Sequence, residues 1–250
     1  MLQYSESPLK ITQIWKMAFK LAAARFFQMY FIFFLLSILM ILPHFILGEP
    51  SSNLILKEHH SAFWGFGIFT IIFSLFIWPL VFYQLGTLME GAPVKFAESL
   101  KIAIRKFPAL LMMGIVVTII CMFGSVFLIL PGIFLFILFS MCAFLIIFDN
   151  VGAIDSLGDS VRLVWGNWWR TFTVLFIPLL TILFILFLIK IVLISLLMFS
   201  HVAENYIAWI GLIFKLIFNP LISIYLYPVQ LLQWHDLKLR RSLKNLKNLQ

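Results

Sequence analysis

Charge is the scarcest thing in this chain of 250 residues. Asp, Glu, Lys and Arg make up 11%, against about 25% in an ordinary soluble domain. The complement is 63% hydrophobic residues and a mean hydropathy of +1.09. A water-soluble core cannot absorb that, because a folded domain of any size keeps a water-facing surface. A soluble enzyme is excluded, and so is a disordered chain. Cysteine is nearly absent: Cys121 and Cys142 are the two copies. Both lie in apolar runs, so no disulfide framework is implied. Catalytic signatures are missing too. There is no Gly-x-Ser-x-Gly, phosphate loop, Gly-x-Gly-x-x-Gly, His-Glu-x-x-His or Cys-x-x-Cys. The longest outer connection, Gly48 to His60, is too short for a soluble catalytic domain.

What the chain does have is long uncharged runs. A helical span takes about 20 apolar residues. Phe26 to Leu47 and Ser61 to Met89 each qualify, and Phe107 to Phe148 is long enough for two spans. Pro131-Gly132 divides that run as a tight-turn signal. Pro131 also suits the first turn of the helix that follows. Thr171 to Ile189 is a fifth span. Tyr206 to Trp234 is a sixth, interrupted by Lys215. The runs are continuous, not alternating, which disfavours barrel strands. The expected fold is therefore an all-α polytopic membrane bundle of six transmembrane helices, one integral domain over residues 1–250.

Orientation follows from the basic residues. All Lys and Arg except Lys57, Lys190 and Lys215 fall in the N-terminal segment, the loops after spans two and four, or the C-terminal segment. Both termini are thus expected in the cytoplasm of a bacterial inner membrane. The first span reads as a permanent anchor, since its apolar run is too long for a cleaved signal. No lipidation motif is apparent at either end.

Amphipathic segments precede the odd-numbered spans, over 8–25, 94–106 and 153–167. In the first, Ile11, Ile14, Trp15, Ala18 and Ala22 share a face. In the second, Phe96, Leu100, Ala103 and Phe107 do. In the third, Ile154, Leu157, Val161, Val164 and Trp168 do. One reading lays these short helices in the headgroup layer. Lys10, Lys16, Lys20, Lys95, Lys101, Arg105 and Lys106 would then contact anionic lipid. The other packs them on neighbouring helices. Residues 235–250 read as a basic cytoplasmic tail, whose simpler partner beside a membrane is anionic lipid, not nucleic acid.

The stretch Leu130-Pro131-Gly132-Ile133, through Phe148-Asp149-Asn150, to Ser156-Leu157 and Ser160-Val161-Arg162-Leu163-Val164-Trp165-Gly166-Asn167 resembles the YciC-type bacterial inner-membrane proteins. It is also similar to the membrane domain joined to some glycerophosphodiester phosphodiesterases. Gln84-Leu85 and the linker Gly91-Ala92-Pro93-Val94 share that likeness. The resemblance implies a multi-pass inner-membrane protein without an assigned activity, near lipid metabolism. It carries over no catalytic residue.

A few residues stand out. Lys215, with Asn219 and Pro220, fits a broken helix lining a polar cavity, as carriers use; otherwise Lys215 snorkels to the boundary. Lys190 follows a complete span and snorkels in the same way. His44, His59, His60 and His201, with Glu49, Glu58 and Glu204, are metal-ligand types without metal-site spacing, and a solvated loop is the preferred reading. Asp149, near Arg162 and Arg170, is expected to form an ion pair that fixes the third amphipathic helix. Gly114, Thr118, Cys121 and Gly124-Ser125 make a small-residue helix face for close packing. No cofactor or metal is expected. The leading expectation is a non-enzymatic protein that organises or senses lipid or supports an envelope assembly. The alternative is a transporter or lipid-translocating carrier. Oligomeric state and protein partners are left open.

Overall fold

A computed structural model describes residues 7–47, 60–91, 95–127, 129–199 and 204–247. Among these the regular elements are all helices. They are α1 (Ile11–Ala24), α2 (Phe26–Leu47), α3 (His60–Met89), α4 (Phe96–Phe127), α5 (Ile129–Phe139), α6 (Cys142–Phe148), α7 (Ala153–Val164), a 3-10 turn (Trp165–Asn167), α8 (Trp168–Phe199) and α9 (Glu204–Lys247). Five helical stretches are long and apolar enough to cross a membrane. A sixth is added if α1 and α2, bent at Arg25, count as one span. The chain is a multi-pass membrane protein by this measure.

Several expectations need correcting. Pro131-Gly132 is not the turn between spans three and four. α4 runs to Phe127 and α5 starts at Ile129, so Pro131 sits in the first turn of α5. Gly132 has a different task. A Cβ there would strike the Ser125 side chain, and one on Gly124 would come within 2.6 Å of Leu135 Cδ1. The two glycines let α4 and α5 approach closely, as small residues do in lipid.

Nor is 94–106 a separate interfacial helix. α4 passes from Phe96 to Phe127 as one helix with Pro108 inside it. A proline there forfeits one backbone bond, to a carbonyl four residues back, and at that position Ile104 is exposed. Within the C-terminal segment 235–250 α9 stays helical to Lys247, and residues 248–250 lie outside the described residues. Ile191 to Phe199 simply extends α8.

The chain clusters into two compact units. One comprises Met1–Ala23, Leu75–Phe176 and Tyr227–Gln250; the other comprises Ala24–Ser74 and Ile177–Leu226. The first has a dense core. Every residue from Cys142 to Ile147 is buried, so α6 has no outward face. Aromatic rings knit it together. Phe82 lies 4.3 Å from Phe144 and 4.9 Å from Tyr227, and Trp234 lies 4.9 Å from Phe148. Ile14, Ala18, Leu21 and Ala22 of α1 are buried in protein, so the apolar face of that helix is not left for acyl chains.

In the second unit the only buried apolar side chains among the described residues are Met29, Phe33, Ile41, Pro178, Leu212, Pro220 and Ile224. Leu180, Leu183, Phe184, Phe187 and Leu188 form an exposed apolar surface of α8. Hydroxyl groups here turn inward: Thr181 Oγ1 donates to the Ile177 carbonyl and Thr70 Oγ1 to the Phe66 carbonyl, each at 2.8 Å. Bonding to the helix's own backbone leaves no bare donor facing hydrocarbon.

Candidate functional site

The first unit collects the charge. Of the 18 Lys and Arg residues, all but Arg25, Lys57, Lys190 and Lys215 belong to it. All four ion pairs among the described residues lie there as well.

The most deeply set is built on Asp236, whose side chain is 0% exposed. Arg170, two residues into α8, pairs with Asp236 Oδ2 through Nη2 at 2.9 Å and through Nε at 3.1 Å. Arg240, one turn along α9, donates Nε to the same oxygen at 2.8 Å. The other oxygen accepts the Leu9 backbone N–H at 2.7 Å. Both guanidinium groups then donate to the Leu9 carbonyl, at 2.6 and 3.0 Å. Both carboxylate oxygens of Asp236 and both backbone groups of Leu9 have partners, the condition for a buried charge to be tolerated. The cluster ties the segment before α1 to the start of α8 and the end of α9. Nothing in it is arranged for chemistry. It is a lock.

Asp149 does not pair with Arg162 or Arg170. Its partner is Lys238, at 2.6 Å, whose ammonium also lies 4.8 Å from the Trp234 ring centroid. Arg162 pairs within α7, with Asp159 at 3.5 Å. The expected ion pair fixing α7 is therefore replaced by another device. The buried residues of α7 are Ser156, Ser160, Leu163 and Val164, while Ile154 points outward. This face is rotated from the expected stripe because it meets a broken span. Between α5 and α6 the helix is interrupted at Ser140 and Met141. Ser160 Oγ donates to the Leu138 carbonyl at 2.6 Å and accepts the Met141 N–H at 3.3 Å. Cys142 Sγ donates to the Ser156 carbonyl at 3.5 Å. Two backbone groups beside the interruption, the Leu138 carbonyl and the Met141 N–H, are thus satisfied by Ser160 of a neighbouring helix.

A cavity of about 360 Å³ opens in the same unit. It is lined by Tyr83, Thr87 and Glu90 from α3 and just beyond it, Ile102, Arg105 and Lys106 from α4, and Ile147, Phe148 and Asn150 around the end of α6. Lys106 Nζ donates to Asn150 Oδ1 at 2.5 Å. Asn150 adopts a left-handed backbone, φ 57°, a conformation asparagine tolerates better than most residues. The ring of Tyr83 stacks on Phe148 at 6.4 Å.

The expected lipid-contact residues divide. Arg105 and Lys106 come together in this cavity. Lys10, Lys16, Lys20, Lys95 and Lys101 are exposed on the first unit, outside the cavity lining. Lys215 and Asn219 belong to the second unit, and both are exposed. α9 runs unbroken through them and through Pro220, so no helix break marks a polar cavity there. Of the histidines and acids weighed as metal ligands, none has a described side chain. Among the described residues no group of three or more His, Cys, Asp or Glu is placed to hold a metal ion. Cys121 and Cys142 are both free thiols.

Sequence reasoning overlooked Asp236, Glu90, Tyr83, Thr87 and the two serines of α7. For Asp236 a signal existed: it is the only acid after Glu204, with an arginine four residues on. Comparison with family models, with curated protein sequences and with solved structures finds no match to this chain.

Proposed function

We propose that this is a six-span protein of the bacterial inner membrane, with cytoplasmic termini. It has no catalytic chemistry, and it holds anionic lipid against its basic unit. In that way it organises or senses lipid, or supports an envelope assembly. One observation carries the reading. Exposed Lys10, Lys16, Lys20, Lys95 and Lys101 gather on the same compact unit as a cavity containing Arg105 and Lys106. Cations at a membrane surface each gain about 1 kcal/mol from anionic lipid. The resemblance to YciC-type proteins supports the same reading through the segment Leu130 to Asn167, whose Ser156 and Ser160 are structural here.

The test is lipid retention. The full-length protein is reconstituted in nanodiscs of mixed phosphatidylglycerol and phosphatidylcholine, and the lipids kept after extraction are counted by native mass spectrometry. Retention should favour the anionic lipid and fall as salt rises. The variant K10Q/K16Q/K20Q/K101Q should abolish most of that preference. Retention matching the bulk lipid ratio at low salt would remove the proposal.

A further inference from the structure

The cavity holding Arg105 and Lys106 has features that a merely basic surface lacks. Its two cations are consecutive in sequence, and a third charge, Glu90, lines the same space. None of the three belongs to an ion pair among the described residues. Lys106 is held in place, since Nζ already donates to Asn150 Oδ1. An ammonium has three donors, so two remain for something else. Arg105 is exposed and offers a planar fork of N–H groups. That fork matches the oxygens of a phosphate, which can accept two parallel bonds from it.

Glu90 narrows the choice. A carboxylate lining a phosphate site repels the ligand unless the ligand also brings a hydrogen-bond donor. Amines and hydroxyls are such donors. Thr87 spends its hydroxyl on the Tyr83 and Gln84 carbonyls and Asn150 accepts from Lys106; beside them Ile102, Ile147 and the stacked Tyr83 and Phe148 give the lining an apolar part, which suits the carbon atoms linking the two polar ends. A volume of about 360 Å³ lies at the small end of ligand sites, about 300–1,000 Å³.

We infer that the cavity lined by Arg105, Lys106 and Glu90 binds a phosphate ester that carries an amine or hydroxyl a few bonds from the phosphate. Arg105 and Lys106 take the phosphate, and Glu90 accepts from the donor group. The chemistry is that of a phosphatidylethanolamine or phosphatidylglycerol headgroup, and of the free phosphoesters derived from them. This inference rests on the proposed lipid-holding function and gives it one defined site.

Native mass spectrometry of the full-length protein, exposed in detergent to phosphatidylglycerol, phosphatidylethanolamine and phosphatidylcholine in turn, reads the site. Choline carries no donor for Glu90. One copy of either of the first two lipids should persist in high salt, at least about tenfold over phosphatidylcholine. Arg105→Ala and Lys106→Ala should each weaken it about tenfold. Arg105→Lys, which keeps the charge and disturbs packing least, should weaken it less. Glu90→Gln should shrink the preference over phosphatidylcholine to about threefold or less. Titration with phosphoethanolamine and glycerol phosphate separates the sources. Saturable binding of these esters that displaces the lipid identifies a soluble ligand, and its absence beside lipid retention identifies the membrane.

Equal retention of all three lipids would overturn the inference, as would wild-type behaviour of Arg105→Ala and Glu90→Gln. The two readings fail separately. If the pocket variants change nothing while K10Q/K16Q/K20Q/K101Q loses lipid, the site falls and the broader function stands. If only the pocket variants lose lipid, the diffuse basic surface falls and the site remains.

Discussion

Met1–Ala23, Leu75–Phe176 and Tyr227–Gln250 pack around a core in which α6 is buried on every side, whereas Ala24–Ser74 and Ile177–Leu226 leave most of their large apolar side chains exposed. Both regions are helical and rich in Phe, Leu and Ile. Hydrophobicity alone therefore does not decide which side chains become core. In water, apolar surface must be hidden, at about 25 cal/mol per Å². In lipid, one apolar side chain gains little by meeting another rather than an acyl chain. The exposed apolar surface of α8 is what a lipid-facing helix should show. The charges follow the same division. Every ion pair among the described residues belongs to the first unit, and in the second the hydroxyls of Thr70 and Thr181 fold back on their own helices.

That comparison can be broken by substitution, and the largest effect should come from Asp236. Asp236→Ala leaves Arg170 and Arg240 facing each other beside Leu9 with their shared counter-charge gone. The cost should be about 3–5 kcal/mol, seen as a lower melting temperature in detergent and as faster proteolysis near Leu9. A melting curve matching wild type would show that the charged cluster does not hold the first unit together.

Next comes Ser160→Ala, which strands the Leu138 carbonyl and the Met141 N–H in a dry interior. A loss of about 1–3 kcal/mol is expected. Hydrogen exchange should rise at Met141 before it rises elsewhere in α5 and α6. Unchanged exchange at Met141 would mean that the interruption is satisfied without α7.

Lys238→Met should cost less, up to about 1 kcal/mol, because its pair with Asp149 is partly exposed, at 43% and 26% of the two side chains. Some of that loss is the contact with Trp234, so raising salt should reproduce only part of it in wild type. The smallest effect should be in the second unit. Lys215→Met should leave melting within about 0.5 kcal/mol of wild type, and lipid scrambling in proteoliposomes should be the same for both. A clear loss on removing Lys215 would give the second unit a polar role and erase the contrast.

Much of the membrane architecture is legible along the chain, because a span is a local property: about 20 residues without charge. The runs at Ser61 to Met89 and Thr171 to Ile189 lie inside helices of the structure, and the clustering of basic residues mirrors the first compact unit. Local patterning failed where two helices decide the outcome together. Ile154, Leu157 and Val161 form the more apolar stripe of α7, yet the helix buries Ser156 and Ser160. A serine is the better neighbour for an interrupted backbone, and that interruption is not written in α7. Pro131 takes the expected place in the first turn of α5, but Pro131-Gly132 misled as the dividing turn. The pair marks a turn by its chemistry, but the glycine is needed for contact with Gly124 and Ser125 across the α4–α5 hairpin.

The sequence by itself determined the solvent of this protein and the segments that meet it, because transfer free energy adds residue by residue along a run. It also determined how the cations are distributed. Arg162 and Arg240 meet acids three and four residues back on their own helices; tertiary structure decided the other partners. Leu9 and Asp236 stand 227 positions apart, Asp236 and Arg170 stand 66 apart, and Lys106 meets Asn150 across 44. A charge inside protein is stable only where its counter-charge is brought to it, and no pattern along the chain records which distant segment will arrive.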